Sequence, residues 1–229
     1  MATITWLGHS AFLIEDQGLR LLIDPFLTGN PKATTTAEQM HDIDVVLVTH
    51  DHGDHVGQAV DICKRTGAKL AAVVGTAEKF IAAGVPQEQV FIGIGFNMGG
   101  TVEHKGVRIT MVPAFHTSES GLPVGYILTL PSGTVVYHAG DTCLFGDMAL
   151  WGELYTINVA LLPVGGVFTM DAVQAAKACA LLQTPKVIPM HWGTFPVLAQ
   201  DTKAFHAELQ KTAPRCQCFD ANVGQAIDI

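Results

Sequence analysis

Residues 50–55 read His-Asp-His-Gly-Asp-His, which places four potential metal donors, His50, His52, Asp54 and His55, in one short stretch. Three of the four are imidazoles, where a solvated polar loop would mix in Lys, Ser and Glu, so the cluster points to a bound cation. It also constrains the fold, because donors this close in sequence converge only where the backbone turns sharply at the end of a regular element. The preceding run at 44–49, Asp-Val-Val-Leu-Val-Thr, is apolar and rich in β-branched residues and predicts a buried strand. Val56, Ala59, Val60 and Cys63 follow at helical spacing and predict a helix over 56–65, with Asp54 and His55 in its first turn.

With 229 residues, 48% of them hydrophobic, the chain has enough apolar side chains for a large core, and disorder is excluded. A net charge of -8 with 13 Lys and Arg argues against a broad nucleic-acid face, since phosphate neutralisation supplies most of that affinity. The chain begins with strand-like residues, with neither a basic leader nor a long apolar stretch, so a cytoplasmic location without membrane contact is expected. Five scattered cysteines, an odd number, suit reduced thiols rather than a disulfide framework. Cys216-Gln-Cys218 has no second Cys pair to complete a metal site. A homo-oligomer is expected from the apolar stretch 159–170.

The remaining periodicity predicts strands at 3–6, 11–15 and 19–23 as a meander, then a strand at 69–74, a helix at 77–83 and a strand at 89–92. Antiparallel signals return at 106–112, 124–130 and 134–138, the last two joined by Pro131-Ser-Gly133. A helix at 148–155, strand at 158–162, helix at 171–182, strand at 186–190, helix at 201–212 and two terminal strands complete the pattern. Hairpin strands followed by strand and helix alternation, twice over, predict an α/β chain of two mixed sheets packed face to face with helices outside.

If the cluster binds metal, its partners belong at other strand ends, and His116, Asp141 and His191 each sit where an apolar strand meets a turn. Five imidazoles and two carboxylates exceed the three or four protein ligands of one zinc, so two ions sharing a carboxylate are the economical count. Two such ions can hold a bridging hydroxide and stabilise the oxyanion its attack creates, which makes hydrolysis the expected reaction.

His-x-His-x-Asp-His, then His116, Asp141 within Gly140-Asp-Thr142, and His191 resemble the motifs of the metallo-β-lactamase superfamily in order and spacing, over nearly the whole chain. Gly8-His-Ser-Ala-Phe12, Asp24-Pro-Phe26 and Pro163-Val-Gly-Gly166 with Thr169-Met170 resemble the metal-dependent hydrolases near the ascorbate-6-phosphate lactonases. The resemblance implies a four-layer αββα sandwich, with residues 1–229 forming one hydrolase domain. It implies that His50, His52 and His116 hold one ion, that Asp54, His55 and His191 hold the other, and that Asp141 bridges them. Asp24 then supports the ligand loop from behind, His9 is a supporting donor or substrate contact, and Asp54 is the catalytic residue that fixes and deprotonates the water.

Zinc suits these donors best, with Mn, Fe, Co or Ni left open. The expected partner is a small-molecule ester, lactone or phosphodiester, with an anionic group as one option. Thr169 as cap of the 171–182 helix would point its N-terminus at such a group. Phe115, Phe168, Trp192 and Phe195 are candidate pocket walls, and His138 is expected to be structural. Two alternatives stay open on the same fold, a diiron-type redox enzyme and a nonenzymatic metal-binding protein.

Overall fold

In a computed structural model describing residues 1–229, the apolar runs of the first third form one sheet. Its strands are β1 (Thr3–Gly8), β2 (Ala11–Asp16), β3 (Leu19–Ile23), β4 (Val45–Leu47) and β5 (Lys69–Ala71). β1, β2 and β3 form an antiparallel meander, and β3, β4 and β5 are parallel. Three helices accompany this sheet, α1 (Gly53–Val56), α2 (Ala59–Thr66) and α3 (Val74–Ala82).

The second sheet opens with four antiparallel strands, β6 (Thr101–His104), β7 (Val107–Pro113), β8 (Val124–Thr129) and β9 (Val135–His138). It continues through α4 (Met148–Leu154), β10 (Val159–Pro163), α5 (Ala172–Leu182), β11 (Lys186–Met190), α6 (Lys203–Thr212) and β12 (Gln217–Cys218), with β9 to β12 parallel. The last strand, β13 (Ala226–Asp228), returns to the first sheet beside β1. No helix is long and apolar enough to cross a membrane.

Period-two alternation explains the layering. In β2, Phe12 and Ile14 face the second sheet with Met111 and Tyr126, whereas Leu13 joins Ile62 and Phe80 beneath α2 and α3. On the far side of the second sheet, Ala175 and Cys179 of α5 and Phe205 and Leu209 of α6 close the core. The result is two mixed sheets between helical layers, as expected. Fully buried Tyr126 donates its hydroxyl to the carbonyls of Val48 at 2.8 Å and Ala71 at 3.1 Å, tying the second sheet to the ends of β4 and β5.

Several expected elements differ. The helix expected over 56–65 is broken at Gly57, whose φ of +42 and close approach to the Pro25 carbonyl, 2.1 Å from an added Cβ, admit no side chain. The strand expected at 69–74 ends at Ala71, and α3 begins at Val74 rather than 77. The strand expected at 89–92 is two 3-10 turns, Gln87–Gln89 and Phe91–Gly93, joined to the sheet only by a Leu70–Val90 bridge. Ile92 there has φ +59, which a strand cannot absorb. Strand β6 was not anticipated, because its one buried residue, Val102, leaves no apolar run. The cap of α5 is Asp171, which accepts from the Gln174 amide, and not Thr169, so the proposed anion-facing cap is corrected.

Candidate metal centre

The site forms where the strands of both sheets end on one edge. Parallel register pairs Ile23 with Leu47, so Asp24 follows directly beside residues 48 and 49. Its buried carboxylate accepts from the Thr49 amide at 2.8 Å and the Thr49 hydroxyl at 2.7 Å. The same carboxylate accepts from His55 Nδ1 at 2.7 Å, because the single turn of α1 swings His55 back over the strand end. With its hydroxyl proton given to Asp24, Thr49 Oγ1 accepts from His50 Nδ1 at 3.1 Å, which leaves His50 Nε2 as a lone-pair donor. That atom lies 3.0 Å from His52 Nδ1.

The second sheet supplies the rest. His116 follows β7 and Asp141 follows β9, and the two loops are joined where the Phe115 amide donates to Thr142 Oγ1 at 3.0 Å. His191 follows β11, and its amide donates to the His9 carbonyl at 3.0 Å. An added Cβ at Gly165 would stand 2.0 Å from the His191 carbonyl, so only glycine lets this turn close. His9, Asp24 and His191 have φ of +56, +44 and +57, left-handed conformations for non-glycine residues, and each turns a side chain at or beside the donor cluster.

All seven expected donors converge. Donor atoms of His50, His52 and His116 lie within 4.8 Å of one another, as do those of Asp54, His55 and His191, and those of His50, His55 and Asp141. Asp141 Oδ2 stands 3.3 Å from His55 Nε2, 3.6 Å from His116 Nε2 and 3.0 Å from His191 Nε2, so it touches imidazoles of both groups. His9, expected only as a support, belongs to the second group, with Nε2 3.2 Å from Asp54 Oδ2 and its ring 4.1 Å from that of His191.

The electrostatics suit cations. Burial lowers the pKa of His50 to about 2 and that of His9 to about 4, and it lowers His116 as well, so these imidazoles are neutral at neutral pH, which leaves His50 and His116 able to coordinate and His9 able to donate Nε2–H to Asp54. Burial would also depress His55, but Asp141 and Asp24 outweigh it and raise its pKa well above the ordinary value. Burial opposes the ionised form of Asp141, yet His55 and His191 hold its pKa well below the usual range. Buried His55 Nε2 and Asp141 Oδ1 make no hydrogen bond, as expected of atoms arranged for an ion. The residues therefore fit divalent metal.

Other assignments separate here. Asp51 sits within the motif but points away, and its buried carboxylate accepts from Ser118 Oγ at 2.6 Å, Ser120 Oγ at 2.6 Å, the Glu119 amide at 2.7 Å and Lys79 at 2.9 Å. His138 is structural, with Nε2 on the Ser10 carbonyl and Nδ1 accepting from the Gly140 amide. Trp192 stacks on Trp6 at 5.2 Å, whereas Phe168 and Phe195 wall a cavity of about 340 Å³ over the donors. Cys218 lies near His206 and Asp220, away from the site. The sequence assigns no role to Thr49 or Asp51, and Gly165 stands only within the run Pro163-Val-Gly-Gly166, where nothing marks its close approach to His191.

The family described as the beta-lactamase superfamily domain matches residues 3–191. A UPF0173 metal-dependent hydrolase of Nitratidesulfovibrio vulgaris is 59% identical over 226 residues, covering 99% of this chain and 95% of that protein. UPF0173 metal-dependent hydrolase LI0883 of Lawsonia intracellularis is 53% identical over 215 residues, covering 94% of each. Among solved structures, Igni18, a metallo hydrolase from the archaeon Ignicoccus hospitalis, is 38% identical with a TM-score of 0.89, over 99% of this chain and 97% of that one.

Proposed function

The chain belongs to the metallo-β-lactamase superfamily and is a metal-dependent hydrolase, and from that premise we propose that it cleaves an ester, lactone or phosphodiester bond of a small molecule with two divalent cations. His50, His52 and His116 would hold one cation, Asp54, His55 and His191 the other, and Asp141 both. The observation that carries this reading is the position of Asp141 Oδ2 against His116 on one side and His55 and His191 on the other. Imidazole with carboxylate favours zinc. Two bound cations supply an activated water and positive charge to balance an oxyanion developing on the substrate.

The chain's own groups perform the remaining work. Asp54, whose side chain is 29% exposed, faces the cavity while His9 fixes its Oδ2, so it can orient the attacking water and accept its proton. Burial opposes ionisation of Asp54, but the His9 hydrogen bond and the charge of His55 outweigh it and keep the carboxylate ionised. Asp24 and Thr49 hold the tautomers of His55 and His50. Phe168 and Phe195 supply the apolar part of the cavity wall.

The test is turnover of carboxyl esters, lactones and phosphodiesters by metal-loaded protein, with His52→Ala and Asp141→Ala alongside. At least one class is turned over by the wild type, and both substitutions reduce that rate by at least about 100-fold. Turnover that survives both would contradict the reading.

A further inference from the structure

Beside His116, which also lines the metal cavity, lies a second cleft of about 520 Å³. Met98, Pro113, Ala114, Phe115, Leu122 and Pro123 line it, and His116, shared with the metal cavity, is its one polar side chain. Phe115 and Leu122 are 57% and 60% exposed, and Phe168 on the wall of the metal cavity is 58% exposed. Large apolar side chains gathered in the open around a reactive centre need an occupant to cover them.

The cleft is held open by design of the 117–123 loop. Ser118, Glu119 and Ser120 all bond to Asp51, and Thr76 Oγ1 donates to the Ser120 carbonyl at 2.7 Å. An added Cβ at Gly75 would stand 2.8 Å from the Gly121 amide, so the loop is pressed against α3. The backbone leading into Leu122 is thereby fixed, and a preformed wall spares the ordering cost of binding.

We propose that this cleft is the acyl pocket of the site, receiving an uncharged aliphatic or aryl group of an ester or lactone whose reacting carbonyl lies beside His116. This rests on the reading of the metal centre above. The space, about 520 Å³, lies within the range of small-molecule pockets. Neither cavity is lined by Lys or Arg, so a phosphate remote from the cations finds no partner in their walls, and the chain's net charge of -8 opposes it further.

The test is calorimetric titration of the metal-loaded protein with aliphatic hydroxamates, whose head group chelates divalent cations, from acetohydroxamate to octanohydroxamate. Affinity rises by up to about fourfold per methylene, and by at least about 30-fold across the series. Leu122→Asp and Phe115→Ser flatten the series, bringing the ratio of longest to shortest chain to within about threefold of one. A flat wild-type series, or a chain-length gain that persists in Leu122→Asp, overturns the acyl pocket while leaving the metal centre intact. Absence of binding by any hydroxamate overturns both. A flat series with a wild-type dimer that Leu122→Asp dissociates assigns the cleft to a second copy of the chain, and also overturns the proposal.

Discussion

Asp24 accepts from His55 Nδ1 at 2.7 Å with both side chains fully buried, so one carboxylate at the end of β3 sets the direction of an imidazole of the donor cluster on α1. Asn tolerates the left-handed backbone of residue 24 and preserves its shape, but it carries no charge and its amide nitrogen cannot accept. Asp24→Asn is therefore expected to fold and to bind zinc about 10- to 100-fold more weakly in a competitive chelator titration. Unchanged affinity would contradict the orienting role.

Asp51 anchors the loop beside the site through two hydroxyls, an amide and Lys79. Asp51→Ala leaves these donors without their shared acceptor and is expected to cost about 3 kcal/mol in urea unfolding. Lys79→Ala is expected to cost no more than about 1 kcal/mol, because the Lys79 side chain is 48% exposed and its ion pairs are screened. Equal costs would show that the ion pair, and not the hydroxyl and amide bonds, holds the loop.

Gly165→Ala drives a methyl group into the His191 carbonyl. Since His191 is the only expected donor from β11, the displacement should weaken one ion more than the other, and a zinc titration should change from one tight phase to two separated ones. Two ions bound with wild-type affinity would show that the turn relaxes without moving the imidazole.

Metal-free protein should lose stability on acidification. His9 and His50 stay neutral in the fold down to about pH 4 and about pH 2, and burial lowers His116 and His138 too, whereas the unfolded chain protonates each near 6.5. Below pH 6.5 the unfolded state thus binds more protons, and stability falls as pH drops, by at most about 1.4 kcal/mol per pH unit for each group. His55, raised in the fold, acts the other way, but its contribution is complete below 6.5 and fades only as pH rises through its folded value. The urea midpoint of the metal-free protein is expected to be lower at pH 5 than at pH 7, and an equal or higher midpoint would contradict the burial argument.

The strand ends that carry His116, Asp141 and His191 were legible because each follows an apolar run, and the same runs revealed both sheets. What could not be read depends on contacts distant in sequence. His9 joins the donors because the His191 amide reaches its carbonyl and both residues adopt left-handed backbone. Asp51 looks like a donor by composition, and only the approach of Ser118 and Ser120 shows that it faces away. The edge strand β6 and the turns at 87–93 escaped periodicity because each is short and half exposed, so neither leaves a pattern longer than its own turn.

The account depends on donors from both sheets meeting at Asp141, and the amount of metal bound per chain tests this most directly. Elemental analysis of zinc-saturated, dialysed protein should find two ions per chain. One ion or none would contradict it.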